Sequence, residues 1–448
     1  MDYLQQKIVV IGAGLSGQAL VRFFCGKGAE VTLSDRRGQA DLPDFENLAD
    51  CKLSFDLGGH SIELFRQADL IAVSPGVPLN IEPLIEAAKA GVKILGEVEI
   101  AVRELKAPMI AITGTNGKST TTSLIGEMLK GWGKNCFVGG NLGTPLVSAC
   151  GKGYDSLVVE LSSFQLEALE TFSPNFALML NLSEDHLDRY SDFNSYLAAK
   201  EAIFSNMGAG QYAILNENDA RVRELIVPVA IKKIWFSAIR LLDEGMGRRE
   251  NQLVWRWQGN EVRFDLEQLK IKGEHNIENA MAAMIAPLVM GMPAELAWQR
   301  VCAFTGLPHR MQQVSRFKGL TWINDSKGTN VGSVVKSLAG LTAPVTLIAG
   351  GKDKGGDYAP LREPLSQKVA CLVLLGEATG RMDAALADCC PTRHAADMAE
   401  AVRVAAEETT SGGTVLLSPA CSSFDMYTSY AARGDDFVCR IKDLEERE

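Results

Sequence analysis

No apolar run in this 448-residue chain approaches the roughly 18 residues needed to span a bilayer, so no integral membrane contact is expected. The opening stretch, MDYLQQKIVVIG, has no basic segment followed by a signal core and cleavage site, which makes a cytoplasmic location the default expectation. A net charge of −10 leaves no global excess of basic residues, and this argues against a nucleic-acid binder. The ten cysteines include no CxxC pair and no Cys/His grouping at zinc spacing. Neither a structural zinc site nor a disulfide framework is therefore expected, and most cysteines read as buried thiols. Low-complexity linkers are also missing, although the length exceeds what one hydrophobic core holds.

What is present is alternation. KIVVIG, AEVTLSD, ADLIAVSPG and VKILGE are short apolar runs separated by helical patterns, as parallel strands with crossover helices require. A second series begins at APMIAITG and continues through SLVVELSS, NFALMLNLS and QYAILN. NQLVWRWQGNEVRFDL interrupts it with a period of two, predicting a small antiparallel excursion, and HNIENAMAAMIAPLVMGM predicts a helix. LTWINDS, PVTLIAGG, ACLVLLGE and GTVLLSPA form a third series. The expected fold is α/β in three domains: 1–96, Rossmann-like; 97–306, a P-loop ATPase-like α/β domain carrying the excursion; and 307–448, again Rossmann-like. Ligands in such sheets collect beyond the carboxyl ends of the strands.

Two nucleotide fingerprints occur in one chain. IAITGTNGKSTTTSLIGEMLK reads as strand, glycine turn and helix, in which Gly114 and Gly117 let amides approach phosphate oxygens. Lys118 would neutralise the outer phosphates, and Ser119 or Thr120 would hold Mg²⁺. The usual first glycine is replaced by Ile112, yet the strand before and helix after support an ATP site. GAGLSG matches GxGxxG at Gly12, Gly14 and Gly17, with Asp35 ending the next strand. That turn suits NAD, but equally any diphosphate, and the following Arg36 fits an anionic or uracil-bearing ligand as well as NADP.

Other candidates are individually bland. Glu160 ends an apolar strand and supplies an oxygen suited to Mg²⁺. On chemistry alone His186 reads as a loop histidine and Lys200 as a solvated helix residue. Asn276 and Asn279 share a helix start, where they either read an adenine edge or cap the helix. Arg310, in GLPHRMQ, is placed to reach phosphates or to form an interdomain ion pair. INDSKGTN, AGGKDKGGD and SPACSSFDMY gather hydroxyls and lysines suited to a small carboxylate-bearing substrate.

Taken together, GTNGKST, ELSSFQ, NLSEDHLDRY, HNIENA, FTGLPHR, INDSKGTN and SPACSSFD resemble the Mur ligase family, in its order and spacing along essentially the whole chain. The resemblance implies a UDP-sugar rather than NAD in the first domain, ATP in the second and an incoming amino acid in the third. The implied reaction adds D-glutamate to UDP-N-acetylmuramoyl-L-alanine through an acyl phosphate, in a monomer. It places ATP on Gly114, Thr115, Asn116, Gly117, Lys118, Ser119, Thr120, Asn276, Asn279, Arg310 and Asp325. It implies two Mg²⁺ sites using Ser119, Glu160, His186 and Lys200, the lysine as a CO₂-derived carbamate. The UDP substrate falls to Gly14, Leu15, Ser16, Asp35, Arg36, Gly76, Asn141, Ser162, Gln165 and His186, although Arg36 stands where the family often has a small hydroxyl. D-Glutamate falls to Lys327, Thr329, Lys354, Ser423, Phe424 and Tyr430.

Overall fold

The structure, a computed structural model, describes residues 3–42, 51–187, 189–271 and 273–446. Each apolar run becomes a strand. β1 (Lys7–Ile11), β2 (Glu30–Asp35), β3 (Lys52–Leu57), β4 (Leu70–Val73) and β5 (Lys93–Gly96) form an all-parallel sheet in the order β3-β2-β1-β4-β5. β6 (Met109–Thr113), β7 (Cys136–Gly140), β8 (Ser156–Glu160), β9 (Phe176–Met179), β10 (Tyr212–Asn216) and β11 (Lys232–Phe236) build the parallel part of a second sheet. β12 (Gly245–Arg249), β13 (Gln252–Trp257) and β14 (Asn260–Asp265) extend it as the expected antiparallel excursion, giving the order β14-β13-β12-β11-β10-β9-β6-β8-β7. β13 and β14 meet at a two-residue turn in which Gln258 and Gly259 both have positive φ, the turn geometry that matches strand twist.

The third sheet joins β15 (Gln312–Phe317), β16 (Leu320–Asn324), β17 (Val345–Gly350), β18 (Val369–Leu375), β19 (Thr392–His394) and β20 (Thr414–Ala420) in the order β15-β16-β20-β17-β18-β19. Only the β15–β16 pair is antiparallel among these neighbours. Strands β6, β8 and β17 are buried along their whole length, as parallel strands covered on both faces must be. HNIENAMAAMIAPLV forms the expected helix, Glu274–Val289.

The chain divides into two compact units. One contains residues 1–181, 197–267 and 278–301, with the first two sheets. The other contains residues 182–196, 268–277 and 302–448, with the third sheet, so the short segments bearing His186 and Asn276 group with it. Among the described residues no helix is long and apolar enough to cross a membrane.

The cysteines depart from expectation in two places: two of them form a disulfide, and only three of the ten are buried thiols. Cys25, at the end of helix Leu15–Gly26, and Cys51, just before β3, are disulfide-bonded with Cα atoms 5.2 Å apart. Sequence spacing carried no sign of this, because a helix end and a strand start 26 residues apart become neighbours only when the sheet forms. Cys136, Cys371 and Cys421 are buried thiols, whereas Cys439 is exposed.

Candidate active site

The GTNGKST turn follows the carboxyl end of β6 and leads into helix Lys118–Gly131. Gly117 caps that helix at φ +87°, and a Cβ there would stand 2.2 Å from Asn279 Oδ1, so any side chain would strain the backbone and displace Asn279. The turn is strapped from one side. Asn181 Oδ1 accepts the Asn116 amide at 2.8 Å, Asn181 Nδ2 donates to the Asn116 carbonyl at 3.0 Å, and the Asn181 carbonyl accepts the Thr115 amide at 2.9 Å. Both Ser119 and Thr120 are buried at the helix start.

Two lysines converge here. Lys118 Nζ donates to the carbonyls of Gly114 at 3.0 Å and Thr115 at 2.8 Å. Lys200, only 1 % exposed at the end of helix Phe193–Glu201, donates to the same Gly114 carbonyl at 2.9 Å. The expectation of a solvated surface lysine is thereby overturned: the helix turns this residue inward, beneath the phosphate turn. Two ammonium groups on one carbonyl repel each other, and an anion nearby relieves that repulsion.

Glu160 closes β8 and is 1 % exposed. Its Oε1 accepts from Asn141 Nδ2 at 2.8 Å, while its buried Oε2 has no hydrogen-bond partner among the described residues. An orphaned carboxylate oxygen one strand away from a phosphate-type turn is the donor a hard cation takes. No group of three or more His, Cys, Asp or Glu side chains able to hold a metal stands among the described residues. Magnesium carried by a triphosphate needs few protein ligands beyond phosphate and water.

The helix side of the cradle is closed by Asn279, which is buried and accepts from Thr121 Oγ1 at 3.5 Å. Ser162 and Gln165 engage each other as a capping box on the short helix Ser163–Leu166, so both have a structural occupation.

In the first sheet, GAGLSG follows β1. A Cβ on Gly17 would lie 1.7 Å from the Gly12 carbonyl oxygen, which fixes glycine where the helix crosses the turn. Gly14 precedes helix Leu15–Gly26 with no side chain above it, and Leu15 is exposed. The Asp35 carboxylate accepts the Ala13 amide at 2.7 Å and the Arg37 side chain through both oxygens. The Arg37 guanidinium holds that carboxyl well below the usual range. A ribose hydroxyl would thus have to compete with Arg37, which the sequence reading did not single out. Arg36 is exposed, and its charge, after burial, helps lower the His60 imidazole. Ser16 is half-buried in the first turn of helix Leu15–Gly26, and Gly76 is exposed on the loop following β4.

The second unit holds the remaining candidates. The Asp325 carboxyl accepts Ser418 Oγ at 2.7 Å, Ser337 Oγ at 2.8 Å and the Met311 amide at 3.3 Å. Burial raises it, with Arg310 opposing. It therefore braces the Arg310 turn from within rather than facing outward. Burial also pushes His275 down to about 4, helped by the charges of Lys336 and Arg310. Asn276 follows it, its amide bonded to the Gly273 carbonyl at 2.9 Å.

Lys327 Nζ lies 3.8 Å from the Tyr430 ring centroid, a cation–π contact. Lys354 is half-buried, whereas Lys352 is exposed. Lys354 Nζ donates to Asp185 Oδ1 at 3.0 Å, and Asn330 Nδ2 donates to Asp185 Oδ2 at 3.2 Å. His186, at φ +58°, follows Asp185 in this unit. Thr329 is half-buried beside Asn330; Ser423 is 2 % exposed and Phe424 68 %.

Sequence reasoning missed the residue that ties these loops together. Arg433 is 3 % exposed, and burial pushes its guanidinium down to about 10. It donates to the Ser326 hydroxyl and carbonyl, the Cys421 and Ser422 carbonyls, and the Gly350 carbonyl. These atoms belong to the INDSKGTN, AGGKDKGGD and SPACSSFD loops. In the sequence its only sign is helical spacing: it stands four and eight residues before Phe437 and Ile441, which the same helix buries.

Comparison with known proteins follows the three sheets. Residues 6–96 match the Mur ligase MurD-like N-terminal domain, 112–287 the Mur ligase middle domain, and 309–421 the Mur ligase glutamate ligase domain. UDP-N-acetylmuramoylalanine–D-glutamate ligase of Syntrophotalea carbinolica is 53 % identical over 445 residues, covering 99 % of each chain. The enzyme of the same name from Geotalea uraniireducens is 45 % identical over 449 residues, covering 100 % of this chain and 99 % of its own. Among solved structures, a pseudomurein peptide ligase type C from Methanothermus fervidus shares the fold, with a TM-score of 0.64 at 19 % identity over 98 % of this chain and 100 % of its own.

Proposed function

The chain belongs to the Mur ligase family, and from that premise we infer that it is an ATP-dependent amide ligase adding D-glutamate to UDP-N-acetylmuramoyl-L-alanine. The reaction serves peptidoglycan precursor synthesis and releases ADP and phosphate. The observation that supports the reading most is local: Lys118 and Lys200 meet on the Gly114 carbonyl beside a helix start, and Glu160 ends the neighbouring strand.

A carboxylate is a poor acyl donor. The terminal alanine carboxylate attacks the γ-phosphorus of ATP, the bond to the bridging oxygen of ADP breaks, and an acyl phosphate forms. The amine of D-glutamate then adds to the acyl carbon, loses a proton, and expels phosphate to leave the amide. Lys118 and the amides at the helix start bind and orient the outer phosphates, on a turn whose Thr115 and Asn116 amides are taken by Asn181. Magnesium, when bound, neutralises phosphate charge and polarises the oxygens it touches. Ser119 and Glu160 are the residues we assign to hold it.

We assign His186 to a second magnesium on the strength of NLSEDHLDRY, and Lys200 to a carbamate. The carbamate forms when the neutral amine attacks CO₂ and releases a proton, turning a cation into an oxygen ligand; the convergence of Lys118 and Lys200 supports it. Asn276, Asn279 and Arg310 are assigned to the nucleotide, with Asp325 setting the Arg310 turn. Gly14, Leu15, Ser16, Asp35, Arg36, Gly76 and Asn141 are assigned to the UDP substrate, and Ser162 and Gln165 to shaping its loop. Lys327, Thr329, Lys354, Ser423, Phe424 and Tyr430 are assigned to D-glutamate. We place the enzyme in the cytoplasm as a monomer acting without nucleic acid.

Phosphate release from ATP, with UDP-N-acetylmuramoyl-L-alanine, magnesium and bicarbonate present, tests the reading. D-Glutamate should drive it, and L-glutamate, L-lysine and diaminopimelate should not. No release with D-glutamate refutes it.

A further inference from the structure

Helix Glu97–Val102 begins where β5 ends, and its first side chain is a carboxyl only 1 % exposed. Burying such a group is unfavourable unless its oxygens are used. Oε1 accepts the Val147 amide at 2.6 Å, and the Leu146 amide also donates to the carboxyl. Oε2 has no hydrogen-bond partner among the described residues. Both amides open the short 3₁₀ turn Leu146–Ala149, where backbone donors lack partners within the turn itself.

The loop before that turn, residues 141–145, follows β7 and is anchored at its near end on β8. The Asn141 amide donates to the Glu160 carbonyl at 2.8 Å, and the Gly140 amide to the Thr144 carbonyl at 2.8 Å. From this loop Asn141 Nδ2 reaches Glu160 Oε1 at 2.8 Å. The loop therefore has two anchors, β8 at one end and Glu97 at the other. An apolar side chain at position 97 would fill the same space but leave two amides without an acceptor.

We propose that Glu97 is a positioning residue for Glu160: by holding the far end of loop 141–147 it keeps the Asn141 amide on Glu160 Oε1 and leaves Oε2 available to a divalent cation. This rests on the assignment of Glu160 to magnesium, and the experiment separates the two.

Mn²⁺ binding to the full-length protein with ADP, followed by electron paramagnetic resonance, is the first readout; half-saturation of turnover by Mg²⁺ is the second. Glu97→Gln keeps an acceptor oxygen and should stay within about threefold of the parent protein, whereas Glu97→Met should weaken Mn²⁺ binding by roughly tenfold. Asn141→Ala should do the same, and the double variant should be no weaker than either single one, because the two act along one path. Glu97→Met that melts lower yet binds Mn²⁺ normally overturns the proposal, as do fully additive losses. Glu160→Ala with unchanged Mn²⁺ binding instead removes the magnesium assignment. Should Glu97→Met fail to fold, hydrogen exchange on the parent protein decides: the Leu146 and Val147 amides should exchange as slowly as β8, and exchange at exposed-loop rates overturns the anchor.

Discussion

Gly117→Ala isolates the phosphate turn from general stability when compared with Gly133→Ala. Both glycines have left-handed backbone, φ +87° and +78°, and an alanine at either incurs about 1–2 kcal/mol of backbone strain. Their surroundings differ. Nothing lies within 4 Å of a Cβ on Gly133, just past helix Lys118–Gly131, whereas a Cβ on Gly117 would stand 2.2 Å from Asn279 Oδ1. Asn279 must then withdraw, losing its bond from Thr121, which adds about 1 kcal/mol. The total at Gly117 is about 2–3 kcal/mol, concentrated on the atoms assigned to ATP, and carried in full by the bound form it corresponds to roughly 30- to 150-fold weaker nucleotide binding. Calorimetric titration with ADP and magnesium is the assay, beside a melting curve for each variant. Gly133→Ala should melt lower but bind ADP within about twofold of the parent protein. Equal losses of ADP affinity in the two variants, or none in Gly117→Ala, would refute the placement of phosphates on this turn.

Three further outcomes are expected. Burial raises Glu97 to about 7 from its ordinary 4.5, so the native state holds the extra proton across that window and loses stability as pH rises through it, by about 3 kcal/mol once above it. Glu97→Gln escapes that loss, and its advantage in melting temperature should grow between pH 5 and 8; parallel curves contradict the assigned burial cost. Lys200→Ala should lower turnover by roughly 100-fold or more and regain part of it with short carboxylic acids, whereas full activity without them removes the carbamate. Arg433→Met should destabilise the third-sheet unit by about 3 kcal/mol, since five acceptor groups lose their donor, and should raise the KM for D-glutamate; an unchanged unfolding profile argues against the brace.

The sheets were legible because covered parallel strands must be continuously apolar, so VTLIAG and MIAIT announce themselves without knowledge of their neighbours. The excursion was legible for a different reason: β14 alternates between exposed and covered positions and shares with β13 a turn of two left-handed residues. The glycine turn between β6 and its helix was local as well, carried by seven consecutive residues. Lys200 was not, because its helix gives no hint that this residue faces the Gly114 carbonyl 86 positions earlier. Arg433 reaches partners up to 107 residues away, and Glu97 caps a turn 50 residues later, so neither role is encoded by adjacent residues. Asp35 shows a subtler case. It sits where a ribose acid was expected, but the side chain two positions on occupies both its oxygens.

The brace formed by Arg433 has a practical corollary for handling the protein. Helix Tyr430–Glu446 inserts this guanidinium into three loop ends from the last twentieth of the sequence, so protease clipping ahead of residue 430 would unfasten loops as far as a hundred residues upstream. An affinity tag appended beyond the helix leaves that pin in place, while a library that randomises or shortens this helix to improve expression would be perturbing the loops assigned to D-glutamate at the same time.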